Sequence, residues 1–342
     1  MTLTSETKVP ACLYPQRIDT HHHVYPTRYV AEELDRIAGV GPGFPVSMIT
    51  DWTPAVSIAD MDRNGVSAAV VSIGTPGVWH GDNEKAVSLA RHCNEYCAQL
   101  IRDYPGRFGA FATLPLPEID ASLREIEYAT ESLGLDGFGL LTNIDGRWPG
   151  DKSFAPIYDE LNRRKAVVYY HPKTPDRFTD VLPDVPDAIM EFLFDTTRAI
   201  VSLLYSGTLA RCPDIRFIFS HGGGTLPYLS DRIASLSRRA TAKEIAARVP
   251  NGVEYELKKL YYDAVSTANN PQAFGALSGL VPASNILLGS DFPYWSVERT
   301  IGGLNAAKLS AADRSAIEFG NAAALFPRLA ERIASRSGSM KV

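Results

Sequence analysis

Ala166-Val167-Val168-Tyr169-Tyr170-His171-Pro172 is an unbroken apolar run closed by a histidine and a proline. It lacks the alternation of a half-exposed strand, so it reads as a strand covered on both faces, as in a parallel sheet. Two later runs repeat the pattern: Phe217-Ile218-Phe219 leads to His221, and Ile286-Leu287-Leu288 leads to Asp291. Working outward, eight such segments recur at Arg17–Val24, Ser67–Gly74, Arg107–Leu114, Gly137–Asn143, Ala166–His171, Arg216–His221, Leu260–Ser266 and Asn285–Asp291. Amphipathic helical patterns lie between them, among them Asn83–Tyr104, Ile119–Leu133, Phe154–Arg164 and Asp187–Ala210. Eight strand–helix alternations predict an α/β fold of the (β/α)8 TIM-barrel type rather than an open doubly wound sheet. No strand runs into G-x-G-x-x-G or a Walker-type loop, which argues against dinucleotide and NTPase sites.

The chain of 342 residues is 45% apolar, enough for one large barrel domain over 1–342. A net charge of −5 without a basic stripe excludes a nucleic-acid binder. No apolar run reaches the roughly 18 residues needed to span a bilayer. Residues 1–15 read as a flexible arm without a secretory signal core, so a cytoplasmic location is expected. Residues 25–53, with Gly41-Pro42-Gly43-Phe44-Pro45 at their centre, form an insertion after the first strand. At that end of a barrel strand the insertion reads as a lid or specificity loop. Extra helices follow Asp291, and 335–342 reads as a tail. Four cysteines, Cys12, Cys93, Cys97 and Cys212, lack zinc-site spacing and read as ordinary thiols in a reducing compartment.

Of seven histidines, three stand in Ile18-Asp19-Thr20-His21-His22-His23. Alternation in a strand places His21 and His23 on one face and turns His22 away into packing. His171, His221 and Asp291 close three other strands, and in a barrel these ends converge on one rim. A histidine before proline is often a loop residue, and an aspartate before a turn is often a helix cap. Four strands contributing such donors at one end is hard to ascribe to coincidence. Imidazoles plus one carboxylate suit one zinc, manganese or similar divalent ion, with a position left open for water or substrate. His21, His23, His171 and Asp291 are the expected ligands. His221, ahead of Gly222-Gly223-Gly224, is either a fifth ligand or a free acid/base, and the glycines allow close backbone approach.

With these residues in place, a resemblance is plain. Asp19-x-His21-x-His23, His171-Pro172, Ser220-His221-Gly222-Gly223-Gly224-Thr225-Leu226-Pro227-Tyr228 and Gly289-Ser290-Asp291-Phe292-Pro293 resemble the amidohydrolase superfamily. Within it the chain resembles the aminocarboxymuconate-semialdehyde decarboxylase-like branch from Ile18 to about Pro327, and most closely the 6-methylsalicylate decarboxylases. Asp195-Thr196-Thr197 is similar to that branch's Glu-Thr-Thr element, with Asp in place of Glu. The resemblance implies one metal on His21, His23, His171 and Asp291, with His221 beside it as acid/base. Binuclear relatives carry a bridging lysine at the end of strand four. Here that strand ends Leu140-Leu141-Thr142-Asn143, so a mononuclear site is expected. Asp19 is expected to orient a ligand histidine, and Asp195 to support the site from behind. A homodimer is expected because relatives of this type pair.

The expected reaction is non-oxidative decarboxylation of an ortho-hydroxybenzoate or related unsaturated acid, with CO2 released and the ring carbon protonated by Asp291 or His221. Hydrolysis of a lactone or amide on the same site is the competing reading, because metal, ligands and fold serve both. A serine esterase using the glycine run lacks a G-x-S-x-G elbow, and a decayed, non-catalytic barrel would show broken ligands. Trp52, Trp79, Phe292, Tyr294 and Trp295 are candidate surfaces for a flat substrate. Arg28, Arg147 and Arg198 are candidate carboxylate partners.

Overall fold

A computed structural model describes residues 16–40, 43–179, 181–182, 184–237, 244 and 247–339. The strands are β1 Ile18–His23, β2 Ala68–Ser72, β3 Phe108–Thr113, β4 Gly137–Leu141, β5 Val167–His171, β6 Arg216–Phe219, β7 Tyr261–Asp263 and β8 Ile286–Leu287. They pair in parallel in sequence order. Backbone bonds from Thr20 N–H to the Leu288 carbonyl (2.9 Å) and from His23 N–H to the Phe292 carbonyl (2.8 Å) bring the last strand back against the first. This is the expected (β/α)8 barrel. No described helix is long and apolar enough to cross a membrane.

Inward-facing side chains form their own apolar cluster: Ile18, Ala68, Val70, Phe111, Val167, Tyr169, Ile218 and Leu287. On β5, Val167 and Tyr169 occupy alternate positions that lead upward to His171, and Leu287 on β8 stands an even number of residues before Asp291. β1 breaks the parity, since Ile18 and His21 are an odd number apart. A register shift against β2 between Asp19 and His22 resolves it, adding one residue so that Ile18, His21 and His23 all face inward.

The opposite mouth of the barrel is covered by the end of the chain. Helix Pro327–Ser339 places Leu329 and Ile333 in the interior cluster, with Phe326 just ahead of it. Arg328 donates to the Leu135 carbonyl, Arg332 pairs with Asp136, and Arg336 donates to the Ser67 carbonyl. All three contacts lie at the starts of strands. Phe326 meets Phe111 edge-on (5.6 Å), Phe111 stacks on Tyr169 (5.0 Å), and Tyr169 meets His21 edge-on (5.5 Å). An aromatic column thus runs from the C-terminal helix to the rim.

The structure departs from the sequence reading at several boundaries. The insertion at 25–53 is largely helical, with Thr27–Val40 in one helix; Tyr29 and Ile37 bury its inner face. Residues 335–339, read as tail, continue the last helix, while 340–342 and the arm at 1–15 lie outside the described residues. β7 and β8 are shorter than expected, ending at Asp263 and Leu287, and positive φ follows at Ser266 (62°) and Asp291 (68°). Cys93, Cys97 and Cys212 are buried free thiols, in keeping with the expectation for them.

Candidate metal centre

His21, His23, His171 and Asp291 each present a ligand atom, and these four atoms lie within 4.8 Å of one another. In His21 and His171 the second ring nitrogen shows how the ring is aimed. His21 Nδ1 lies 2.8 Å from Asp263 Oδ2, which leaves Nε2 facing the cluster. That Nε2 is 3.1 Å from Asp291 Oδ1 but buried without a hydrogen-bond partner. His171 Nδ1–H donates to its neighbouring Pro172 carbonyl (2.9 Å), again freeing Nε2. His23 Nε2 lies 3.0 Å from Asp291 Oδ1. A Cβ on Gly74 would stand 2.6 Å from His23 Cε1, so this ring leans on bare backbone that only glycine supplies. A converging set of three imidazoles and one carboxylate, with an orphaned buried nitrogen among them, fits a divalent ion.

His221 flanks the set, with Nε2 3.4 Å from Asp291 Oδ2 and Nδ1 buried without a partner. Its backbone is left-handed (φ 52°), and Gly222, Gly223 and Gly224 continue at positive φ. A Cβ at Gly224 would meet the Leu193 carbonyl at 2.0 Å and one at Gly222 would meet Thr267 Cγ2 at 2.3 Å, so neither position has room for a side chain. His221, Ser266 and Asp291, all at positive φ, line one cavity of about 500 Å³. Strained backbone collecting at a cleft marks a functional site.

The charges are strongly coupled. Burial opposes the His21 cation, but the carboxylates of Asp291 and Asp263 outweigh it and raise its pKa to about 10. Burial, then the neighbouring histidines, holds His171 well below the usual range, and burial lowers His23. Burial also opposes the Asp291 anion, yet His21 and the hydrogen bonds from the surrounding rings keep its carboxyl well below ordinary values. In the metal-free protein His21 is therefore cationic at neutral pH, and a metal must displace its proton. Binding of zinc at pH 8 is expected to release about one proton. Apparent affinity then rises with pH toward the His21 pKa, because the competing proton is lost in that direction. Calorimetric titration in two buffers of different ionisation enthalpy measures this directly, and identical apparent enthalpies would refute it.

The sequence candidates divide sharply. Tyr294 lines the cavity, edge-on to His23 (5.9 Å), with its hydroxyl accepting from Tyr25 (3.0 Å); Trp295 lines it too. Six others sit elsewhere. Phe292 stacks on His22 (4.6 Å), and Trp52 donates to Ser57 Oγ, which also meets His22 Nε2. Trp79 donates to Asn83. Arg28 pairs with Glu32 on the surface, while Arg198 pairs with Glu191 and lies over the Phe178 ring. Arg147 pairs with Asp145. Other walls come from Phe44 in the insertion, from Ile189, Phe192 and Leu193, and from Arg299.

Asp19 accepts from the His21 and Ser290 backbone N–H groups (both 3.0 Å), but its ring contact is with His22 (2.9 Å). It pins β1 to β8; orienting the His21 imidazole falls to Asp263, a residue the sequence reading passed over. Its signal was available, because Asp263 also closes an apolar strand. Asp195 is fully buried behind the site. It accepts from Thr142 Oγ1, Asn143 Nδ2 and Trp148 Nε1 and so ties the end of β4 to helix Glu191–Tyr205. Thr142 and Asn143 stand where a bridging lysine would have to be, and both are committed to Asp195.

Comparison with known proteins adds kinship to this geometry. A family model described as Amidohydrolase matches residues 18–328. Decarboxylase macB of Penicillium terrestre is 35% identical over 329 residues, covering 91% of this chain and 95% of that protein. The 6-methylsalicylic acid decarboxylase of Penicillium expansum is 33% identical, covering 92% and 97%. A crystal structure of 2,6-dihydroxybenzoate decarboxylase complexed with 2,6-dihydroxybenzoate superimposes with a TM-score of 0.79 at 25% identity, over 92% of this chain and 99% of that one.

Proposed function

The chain belongs to the amidohydrolase family, and from that premise we propose that it is a metal-dependent, non-oxidative decarboxylase of an ortho-hydroxybenzoate, 6-methylsalicylate-like in shape. The observation that carries the reading is the three-histidine, one-aspartate cluster with His221 beside it at the floor of a largely apolar and aromatic cavity. Relatives of similar length named as decarboxylases support it.

His21, His23, His171 and Asp291 would hold a single zinc or manganese ion. When bound, that ion supplies Lewis acidity and a common anchor for the carboxylate and the adjacent hydroxyl of the substrate. The rest is the chain's own work. Phe44, Ile189, Leu193 and Tyr294 hold a flat ring and keep water from it. Loss of CO2 leaves an electron pair on the ring carbon, and that carbon must receive a proton. His221 and Asp291, 3.4 Å apart on the same wall, are the groups placed to carry it. Residues 25–53 act as the specificity wall through Phe44, and Tyr25 and Tyr294 offer hydroxyls to polar ring substituents.

The test is a panel of hydroxybenzoates, lactones and amides offered to zinc- and manganese-loaded protein and followed for CO2. Stoichiometric CO2 and the corresponding phenol from an ortho-hydroxybenzoate are expected. Lactone or amide opening, with no CO2 from any acid, would replace this reading with a hydrolase.

A further inference from the structure

Asp263 is fully buried at the end of β7 and touches two functional residues at once. Its Oδ2 lies 2.8 Å from His21 Nδ1. Its Oδ1 accepts from the His221 backbone N–H at 2.8 Å and from the Val265 N–H at 3.1 Å. The two backbone groups belong to strained turns: His221 has φ 52°, and Ser266, next to Val265, has φ 62°. Both backbone partners can only donate. We infer that Asp263 is a positioning residue that fixes the His21 tautomer for metal binding and, through the same carboxylate, seats His221.

The inference rests on reading His21, His23, His171 and Asp291 as ligands, and it follows from counting donors. With Oδ1 taken by two N–H groups, Oδ2 is left as an acceptor for His21, so His21 carries its proton on Nδ1 and keeps Nε2 for the ion. An amide cannot replace this carboxylate in either orientation. With its oxygen toward the backbone, the NH2 faces His21 Nδ1 and forces that nitrogen to accept, moving the ring proton to Nε2 where the metal belongs. With its oxygen toward His21, the NH2 faces two N–H donors and His221 loses its seat. Asp263→Asn changes almost no volume, so its effect reports hydrogen-bond polarity rather than packing.

Asp263→Asn is therefore expected to bind zinc about 10- to 100-fold more weakly than the wild-type chain, read by competition with a chromophoric chelator. Its metal-free unfolding midpoint is expected to fall, because the buried partner of His21 loses its charge, so zinc affinity is read at a temperature where the variant is folded. At saturating metal its turnover stays below wild type, since the seat of His221 is disturbed as well. Unchanged zinc affinity together with unchanged metal-saturated turnover would overturn the inference. Failure of the wild-type chain itself to bind zinc would instead overturn the reading of the four ligands. Should the variant not fold, the wild-type chain answers alone. In zinc-loaded protein with 15N-labelled histidine, the His21 signals, assigned by their loss in His21→Gln, are expected to show a protonated Nδ1 and a metal-shifted Nε2. The reverse pattern would overturn the inference.

Discussion

Asp291→Ala and His171→Ala should each lose bound metal and turnover together, with activity falling by at least about three orders of magnitude, or ~4 kcal/mol of barrier. The two variants remove different things. His171 is a buried neutral donor, held with Nε2 forward by its own Nδ1–H bond to the Pro172 carbonyl. Asp291 is the one carboxylate within the ligand cluster, and three imidazoles, His21, His23 and His221, lean on it. Metal content measured on dialysed protein, beside activity on the same sample, checks both. Full metal content in either variant would remove that residue from the ligand set.

His221→Ala should separate the two properties: metal retained, turnover lowered by about 10²- to 10⁴-fold, the usual share of a positioned acid or base. His221 lies outside the four-atom cluster and approaches Asp291 from its other oxygen, Oδ2. Its removal leaves the four ligands and the Asp263–His21 bond in place. The informative measurement is kcat at saturating metal against the metal dissociation constant. A variant that loses the metal as well would make His221 a ligand; one with wild-type kcat would strip it of any part in proton transfer.

Much of this site was legible before folding because barrel topology converts a linear cue into a spatial one. Apolar strands that end in His or Asp must bring those ends to a single rim, so His171, His221 and Asp291 could be placed from their strands alone. The histidines of β1 were legible too, although the register shift beside them was not. The substrate-facing residues were hidden for a different reason. After the strand end, direction depends on turn geometry. At Asp291 a positive φ sends Phe292 down against His22, while Tyr294, two residues on, returns to the cavity. Arg28 stands apart from the cavity because the insertion folds as a helix that presents it to solvent beside Glu32. Asp263 closes β7 as His171 closes β5, so the strand-end cue applied to it too; what the sequence hid was that the ends of β1 and β6 both bring partners to it.

The aromatic column beneath His21 orders events in time. The first-strand histidines emerge early in synthesis, but the ring that ends the column, Phe326, belongs to the last turns of the chain. At roughly 5–20 residues per second, His21 and His23 wait about 15–60 s for their foundation to leave the ribosome. The support beneath His21 is therefore complete only when a segment far downstream, Phe326 and the helix behind it, has packed against Phe111.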